Sequence, residues 1–393
     1  MANRIVSKKI KNNFNYWLTN KIKLVLLSTQ YIMKELMENN FANRLISARK
    51  MAGMSLQALA DKLENVVTKQ SLNKYEQGKM KPESELVIAI SNVLNVPVNY
   101  FYIEPTVNIQ FENIDFRKYS TKLNSAEEES IQEKAKDVFE RYFELEGLLN
   151  LNEGIEYTRF EQPIYTAHDA ELAANEIRKE WNLGYDPIPD VVEMLEDKGY
   201  KVVEIETAGA FDGFKADVGK NKVIVLRKTN DTDDVVRKRF TALHELAHHT
   251  LKFPDEITHK EEEKLCHAFA SALLYPAEMA QKELQKGRFH FYERELMLIK
   301  QRWGISFSAI FNRALQLGVI NDSVYKRFNI GYRLRKYHLP NMEPGQFRSN
   351  EKPTRMERLV YVGLGKEMLS INEAAYFAGV SSWKLQSQLN RMV

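Results

Sequence analysis

The stretch FTALHELAHHTLKF, Phe240 to Phe253, decides how the chain is read. It places His244 and His248 four residues apart, which on a helix puts both imidazoles on one face, a turn apart. Glu245 is offset by one residue, so its carboxylate can reach a water at an ion without entering the coordination shell. The pattern reads as two zinc ligands and a general base; the bland alternative is a helix with histidines on its surface. Phe240, Leu243 and Ala247 make the side away from the ligands apolar, and β-rich sequence precedes it, so the helix is expected to lie buried beside a sheet. A catalytic site with one open position needs a third protein ligand. Glu263, fifteen residues after His248, can supply it from the next helix, with its neighbour Glu262 as the fallback.

Working outward, RFTALHELAHHTLKF followed by EEKLCHAFASALLYP resembles the ImmA/IrrE metallopeptidase family, which pairs HExxH with a glutamate on the following helix. The similarity runs through Glu263, Cys266, His267, Phe269, Ala270, Leu273, Leu274 and Pro276. It extends to EIRKEWNLGYDPIPDVVEMLEDKGYKV and FDGF upstream and to WGISFSAIFNRALQLGVI downstream. The resemblance implies a zincin-like metallopeptidase with His244, His248 and Glu263 as ligands and Glu245 as base. Zinc is the default metal and manganese the alternative. The family often has asparagine where this chain has His267, which implies a hydrogen bond to a ligand rather than ligation. Cys266 stands where the family tolerates alanine and reads as core. His249 points off the ligand face as a surface or packing histidine, and His259 reads as part of the loop between the two helices.

The first quarter is different in character. Residues 1–103 hold fifteen Lys/Arg against seven Asp/Glu, while the remainder holds 41 against 46. A basic head on an acidic body suggests a nucleic-acid-binding module. From Phe41 to Tyr102 the sequence reads as a compact helical bundle. Leu45, Ala48 and Ala52 share one helix face, and Gly53 ends that helix. Ser55 caps a second helix with Leu56, Leu59, Ala60 and Leu63 inward, and Thr68 a third with Leu72 and Tyr75 inward and Gly78 as stop. A fourth follows Pro82 and Glu83 with Leu86, Ile90 and Leu94 inward, and VNYFY closes the unit after Pro97.

RLISARKMAGMSLQALADKL and SLNKYEQGKMKPESELVIAISNVLNVPVNYFY resemble Xre/Cro/CI-type helix-turn-helix domains, except that the turn through ENVVTKQ is about two residues long for the family. By that motif's geometry the helix from Thr68 to Glu76 enters the major groove. Lys69, Gln70, Asn73 and Lys74 are then the base-edge candidates, Thr68 stands at the helix start, Gln57 opens the preceding helix near a phosphate, and Lys79 and Lys81 read as phosphate contacts. Solvated polar faces of a small bundle are the bland alternative for any one of them.

The chain is too long, at 393 residues, for one ordinary domain. Its one cysteine rules out an internal disulfide framework and fits a reducing cytoplasm, and no apolar run reaches the ~20 residues of a membrane span. Residues 1–40 read as an arm or as upstream sequence, because Met33 and Met37 each offer a start just before the bundle; the second reading is preferred. Residues 104–160 are a connector with a long helix from Ser125 to Leu149. Residues 161–330 are the peptidase-like domain, with helices at Ala167–Trp181 and Pro187–Lys198 and strands at YKVVEIE, FDGFKAD and NKVIVLR. NKVIVLR is expected to offer an open edge to a bound peptide. Residues 331–393 are a polar loop, NMEPGQFRSNEKP, and a helix pair, SINEAAYFAGVSSWKL.

The fold class is therefore mostly α with a small β-sheet: a helix-turn-helix bundle, a zincin-like domain and a helical C-terminal region. The expected function is a DNA-binding regulator, dimeric on a double-stranded operator. Its zinc endopeptidase is expected to cut a repressor-like protein or its own connector at 104–124. The competing expectation is a transcription factor or antitoxin whose peptidase-like domain binds a ligand or a toxin partner without cutting.

Overall fold

The computed structural model describes residues 40–64, 66–116, 123–151, 154–207, 211–230 and 235–389. The expected N-terminal extension, apart from Asn40, lies outside the described residues. The chain divides into two compact units. One comprises residues 1–106 and 124–133, and the other 107–123 and 134–393.

In the first unit a helix over 40–51 (α1) is followed by α2 (Leu56–Lys62), α3 (Lys69–Glu76), α4 (Ser84–Leu94) and a 3-10 turn at Val98–Tyr102. Local chemistry sets the boundaries. The Ser55 side chain accepts from the Ala58 amide, and Thr68 from that of Ser71, so each helix start is satisfied by the residue before it. Leu45, Ala48, Leu59, Ala60, Leu72, Ile90 and Phe101 fill the core. The Arg49 guanidinium of α1 binds both carboxylate oxygens of Glu76 at 2.6 and 3.0 Å, which ties the end of α3 to α1. Ala52 is exposed, contrary to expectation, because α1 stops at Met51 and the next residue already belongs to the turn. Leu63 and Val67 are buried, so the long α2–α3 turn adds to the core.

In the second unit a four-stranded sheet runs β1 (Glu112–Phe116), β3 (Gly213–Val218), β4 (Asn221–Arg227), β2 (Lys201–Ile205). β3 is antiparallel to β1 and β4, and β2 is parallel to β4. The expected edge strand NKVIVLR is therefore interior, hydrogen-bonded on both sides, with Val223 to Leu226 buried in succession. Four consecutive buried apolar residues are the mark of a strand covered on both faces, not of an open edge. The edges are β2 and β1, and β1 comes from sequence read as connector.

Helices pack around this sheet. α5 (Ser125–Leu148), α6 (Ala167–Glu180), α7 (Val191–Asp197), α8 (Val236–Thr250) and α9 (His259–Leu274) follow the chain. α8 lies on β3 and β4 and packs against α9, which in turn packs on α6. Gly213 makes the close seating possible: a Cβ there would stand 2.8 Å from Thr241 Cγ2 and 3.0 Å from the Val225 carbonyl oxygen. A further core, around Trp303 and Tyr275, joins α10 (Ala277–Leu284), α11 (Glu293–Trp303), α12 (Phe307–Gln316) and α13 (Asp322–Leu334). α14 (Arg355–Gly365), α15 (Ile371–Ala378) and α16 (Ser382–Gln388) close the chain against α5. No helix among the described residues is long and apolar enough to cross a membrane.

The polar stretch between α13 and α14 has more structure than its composition suggests. It delivers two carboxylates to helix N-termini. Glu343 accepts from the Phe307 amide at the start of α12 and meets Lys300 at 3.1 Å. Glu351, fully buried, accepts from the Val191 and Val192 amides at the start of α7 and pairs with Arg239 of α8. Unsatisfied amides and the positive end of the helix dipole favour a carboxylate at both places.

Candidate metal centre and nucleic-acid interface

α8 is buried along nearly its whole length, with Ala242, Leu243, Leu246 and Ala247 inside the main core. Of its histidines, His244 and His248 turn toward α9, where both meet Glu263. The Thr258 hydroxyl and Glu261 carboxylate form a reciprocal cap that fixes where α9 starts, and with it the height of Glu262, Glu263, Cys266 and His267 opposite α8. His259 is the first residue of α9 and not part of the loop, and it is exposed.

Three donor atoms converge. His248 Nε2 stands 3.1 Å from His244 Nε2 and 3.2 Å from Glu263 Oε1, and His244 Nε2 stands 3.5 Å from the same oxygen. Donors held about 2.0–2.1 Å from a tetrahedral zinc are separated from one another by ~3.3 Å, so this triangle fits such an ion as it stands. Glu245, on the same helix, is buried. His267 also comes close: its ring centroid is 4.8 Å from that of His244, and the donor atoms of His244, Glu263 and His267 all lie within 4.8 Å of one another. Both triads share His244 and Glu263. The tighter distances favour His248 over His267 as their partner.

The surroundings orient these groups. Glu262 lies 3.2 Å from His248 Nδ1, the nitrogen facing away from the triangle. A proton on Nδ1 donated to Glu262 leaves Nε2 as the free donor. Cys266 Sγ lies 3.6 Å from the same nitrogen. Burial by itself would depress the His248 imidazole, but hydrogen bonds with Cys266, Glu262 and Glu263 outweigh it and hold the ring well above the ordinary histidine value. Burial would raise the Glu263 carboxyl; its hydrogen bonds to His244 and His248 reverse that and hold it far below the ordinary range. The imidazole and the carboxylate thus each favour the other's charged form. Burial pushes the Cys266 thiol up to about 11, and it sits in the core. His249 is buried away from the triangle, 3.0 Å from the Val223 carbonyl oxygen, and burial lowers it to about 3, so it packs as a neutral ring.

The model of a peptidase family described as the IrrE N-terminal-like domain matches residues 196–315, and a helix-turn-helix model matches residues 45–101. The chain fuses these two modules. No match to a curated protein was found. The helix-turn-helix module makes the chain a DNA-binding regulator, and the IrrE N-terminal-like module gives it a peptidase-like domain that holds the histidine–glutamate cluster.

In the helix-turn-helix module, Lys69, Gln70, Asn73 and Lys74 are all exposed on α3, with Leu72 and Tyr75 on its buried side. Thr68 is spent on capping α3, and its hydroxyl also bonds Ser71 at 3.1 Å. Gln57 is exposed and donates to Asp61 at 2.8 Å, while Lys79 and Lys81 are exposed in the loop that follows.

Two functional features escaped the sequence reading. Glu262, a fallback ligand by sequence, instead meets the outer nitrogen of His248; the capping box at Thr258 and Glu261 is the sequence signal for that register. Arg239 was passed over although it lies four residues before Leu243, on the buried stripe of α8, where a charge needs a partner.

Proposed function

We propose that the chain is a DNA-binding regulator carrying a zinc-dependent endopeptidase, with His244, His248 and Glu263 as metal ligands and Glu245 as general base. The observation that carries this reading is the triangle of donor atoms at 3.1, 3.2 and 3.5 Å. Zinc bound there supplies Lewis acidity toward a peptide carbonyl and the attacking water. Glu245 then takes the water's proton and passes it to the leaving amine. Glu262 holds His248 with Nε2 turned inward, and His267 flanks His244 rather than ligating. The substrate that suits a DNA-bound peptidase is a repressor-like protein, or the chain's own connector. The DNA partner is a two-fold operator bound by a dimer through α3, with Lys69, Gln70, Asn73 and Lys74 toward base edges and Gln57, Lys79 and Lys81 toward phosphates.

The test compares wild type with His248→Ala and Glu245→Gln. Wild type should carry one zinc per chain by elemental analysis, and His248→Ala should lose it. Glu245→Gln should keep the metal and lose cleavage of a candidate repressor-like protein, because loss of a general base costs ~10²–10⁴-fold. Equal zinc in wild type and His248→Ala refutes the site. Undiminished cleavage by Glu245→Gln refutes the base.

A further inference from the structure

The last two helices share several key positions with the N-terminal helix-turn-helix pair. Ser55 caps α2, and the buried residues four and five places on are Leu59 and Ala60. Ser370 caps α15, accepting from the Glu373 amide, and the buried residues four and five places on are Ala374 and Ala375. Nine places after each serine the backbone turns left-handed, at Glu64 with φ 53° and at Gly379 with φ 66°. The second helix then begins behind a hydroxyl residue, Thr68 for α3 and Ser381 for α16. Four places further on is a buried leucine, Leu72 in one and Leu385 in the other. The C-terminal turn is two residues shorter, so this pair has the tight connection that the N-terminal one lacks.

The turn is held from outside. Arg141 of α5 donates to the Phe377 carbonyl at 3.2 Å at the end of α15. The left-handed φ at position 379 favours glycine, and a Cβ there would push that guanidinium, 2.7 Å away, aside. Leu145 of α5 and Leu149 just after it, with Val360 of α14, cover the inner side of the pair. The outer side of α16 is left open. In register with Lys69, Gln70, Asn73 and Lys74 stand Ser382, Trp383, Gln386 and Ser387. Trp383 is 74% exposed, and Gln386 and Ser387 are exposed too.

Residues 355–393, which hold α14, α15 and α16, carry five Lys/Arg against three Asp/Glu, and α16 presents one exposed lysine, Lys384. This mild basic balance fits a polyanion.

We infer that α15 and α16 form a second helix-turn-helix that docks on duplex DNA, with α16 in the major groove. Gln386 and Ser387 reach base edges, the Trp383 ring packs on a thymine methyl or sugar, and Lys384 meets a phosphate. One chain then reads two sites of different sequence. This rests on the N-terminal pair binding DNA, and the experiment separates the two.

The full chain is used to select from a random-sequence duplex library, alongside Lys69→Ala/Gln70→Ala/Asn73→Ala and Trp383→Ala/Gln386→Ala/Ser387→Ala, each checked for fold by circular dichroism. Wild type should enrich two unrelated motifs. The N-terminal variant should keep only the second. The C-terminal variant should keep only the first and bind the second at least about tenfold more weakly. If the C-terminal variant enriches the same sequences as wild type with equal affinity, or the N-terminal variant enriches none, the inference is overturned. If the N-terminal variant keeps both motifs, the reading of α3 fails instead, while dependence of one motif on Trp383 still supports α16. A C-terminal variant that loses self-association in sedimentation with DNA selection intact assigns the face to a second copy and overturns it.

Discussion

Replacing Glu351 with leucine should destabilise the second unit severely, although residue 351 lies in a polar loop more than a hundred residues from the helix it supports. Arg239 and Glu351 are both fully buried and paired. Without the carboxylate, the guanidinium keeps the Ile188 and Pro189 carbonyl oxygens at 2.6 and 3.2 Å and the Phe347 ring at 4.2 Å, none of which neutralises it, and the Val191 and Val192 amides at the start of α7 lose their acceptor. Stranding one member of a buried ion pair costs ~3–5 kcal/mol. A unit of this size melts roughly 2–4 °C lower per kcal/mol, so Tm should fall by about 6–20 °C. Glu351→Gln keeps an oxygen for the α7 amides but leaves the guanidinium unneutralised, and should fall between. The double variant Arg239→Met/Glu351→Leu removes both charges and should recover much of the loss, since an apolar pair of similar volume can replace a buried ion pair. Thermal melts by circular dichroism at matched pH measure all four proteins. A Tm for Glu351→Leu within about 2 °C of wild type, or a double variant less stable than the single one, refutes the reasoning.

Val225→Pro should unfold the second unit outright, since it removes a ladder donor from an interior strand; a folded variant would contradict the strand order. Gly213→Ala should cost about 1–3 kcal/mol by forcing α8 off the sheet, with Thr241→Ser restoring part of it; chemical denaturation reads both. Zinc binding should release one proton at pH 6.5, because His248 is held above its ordinary value and must be deprotonated to ligate; its affinity should therefore fall about tenfold for each unit the pH drops below the raised value of the metal-free fold. Calorimetry in buffers of different ionisation heat counts the proton, and a count of zero sinks the argument. By the same sign, the stabilisation His248 gives the metal-free fold is present below ~6.5 and is lost as pH rises through the folded value.

How much of this was legible depends on how local the physics is. The spacing of His244 and His248 is set within one helix, and the step to Glu263 spans a single connection whose capping residues are in the sequence. The bundle of α1 to α4 was legible for the same reason: Ser55 and Thr68 act on amides three residues away. Strand order was not. NKVIVLR alternates little because both its faces are covered, but which neighbours flank it depends on β1, whose sequence ENIDF offers only Ile114 and Phe116 as an alternating apolar pair, too short a signal beside the polar residues around it. Glu351 was illegible in a different way. Nothing near it in sequence distinguishes a buried carboxylate from the solvated ones around it; its partner Arg239 is the signal, and that pairing exists only once the fold has formed.

The way the chain crosses between its two units bears on what a cut would achieve. Residues 107–123 belong with the second unit, 124–133 with the first, and the rest of α5 with the second again. Scission anywhere in 117–122 would leave β1 laced into the sheet by its hydrogen bonds to β3, upstream of the nick, while α5 runs on uninterrupted downstream of it. A nicked molecule would give two bands on a denaturing gel and a single peak on a sizing column. Scission at 117–122 is thus not by itself release: a switch built on self-cutting there would also need something to peel that strand away, and until then the broken protein would go on behaving as one particle.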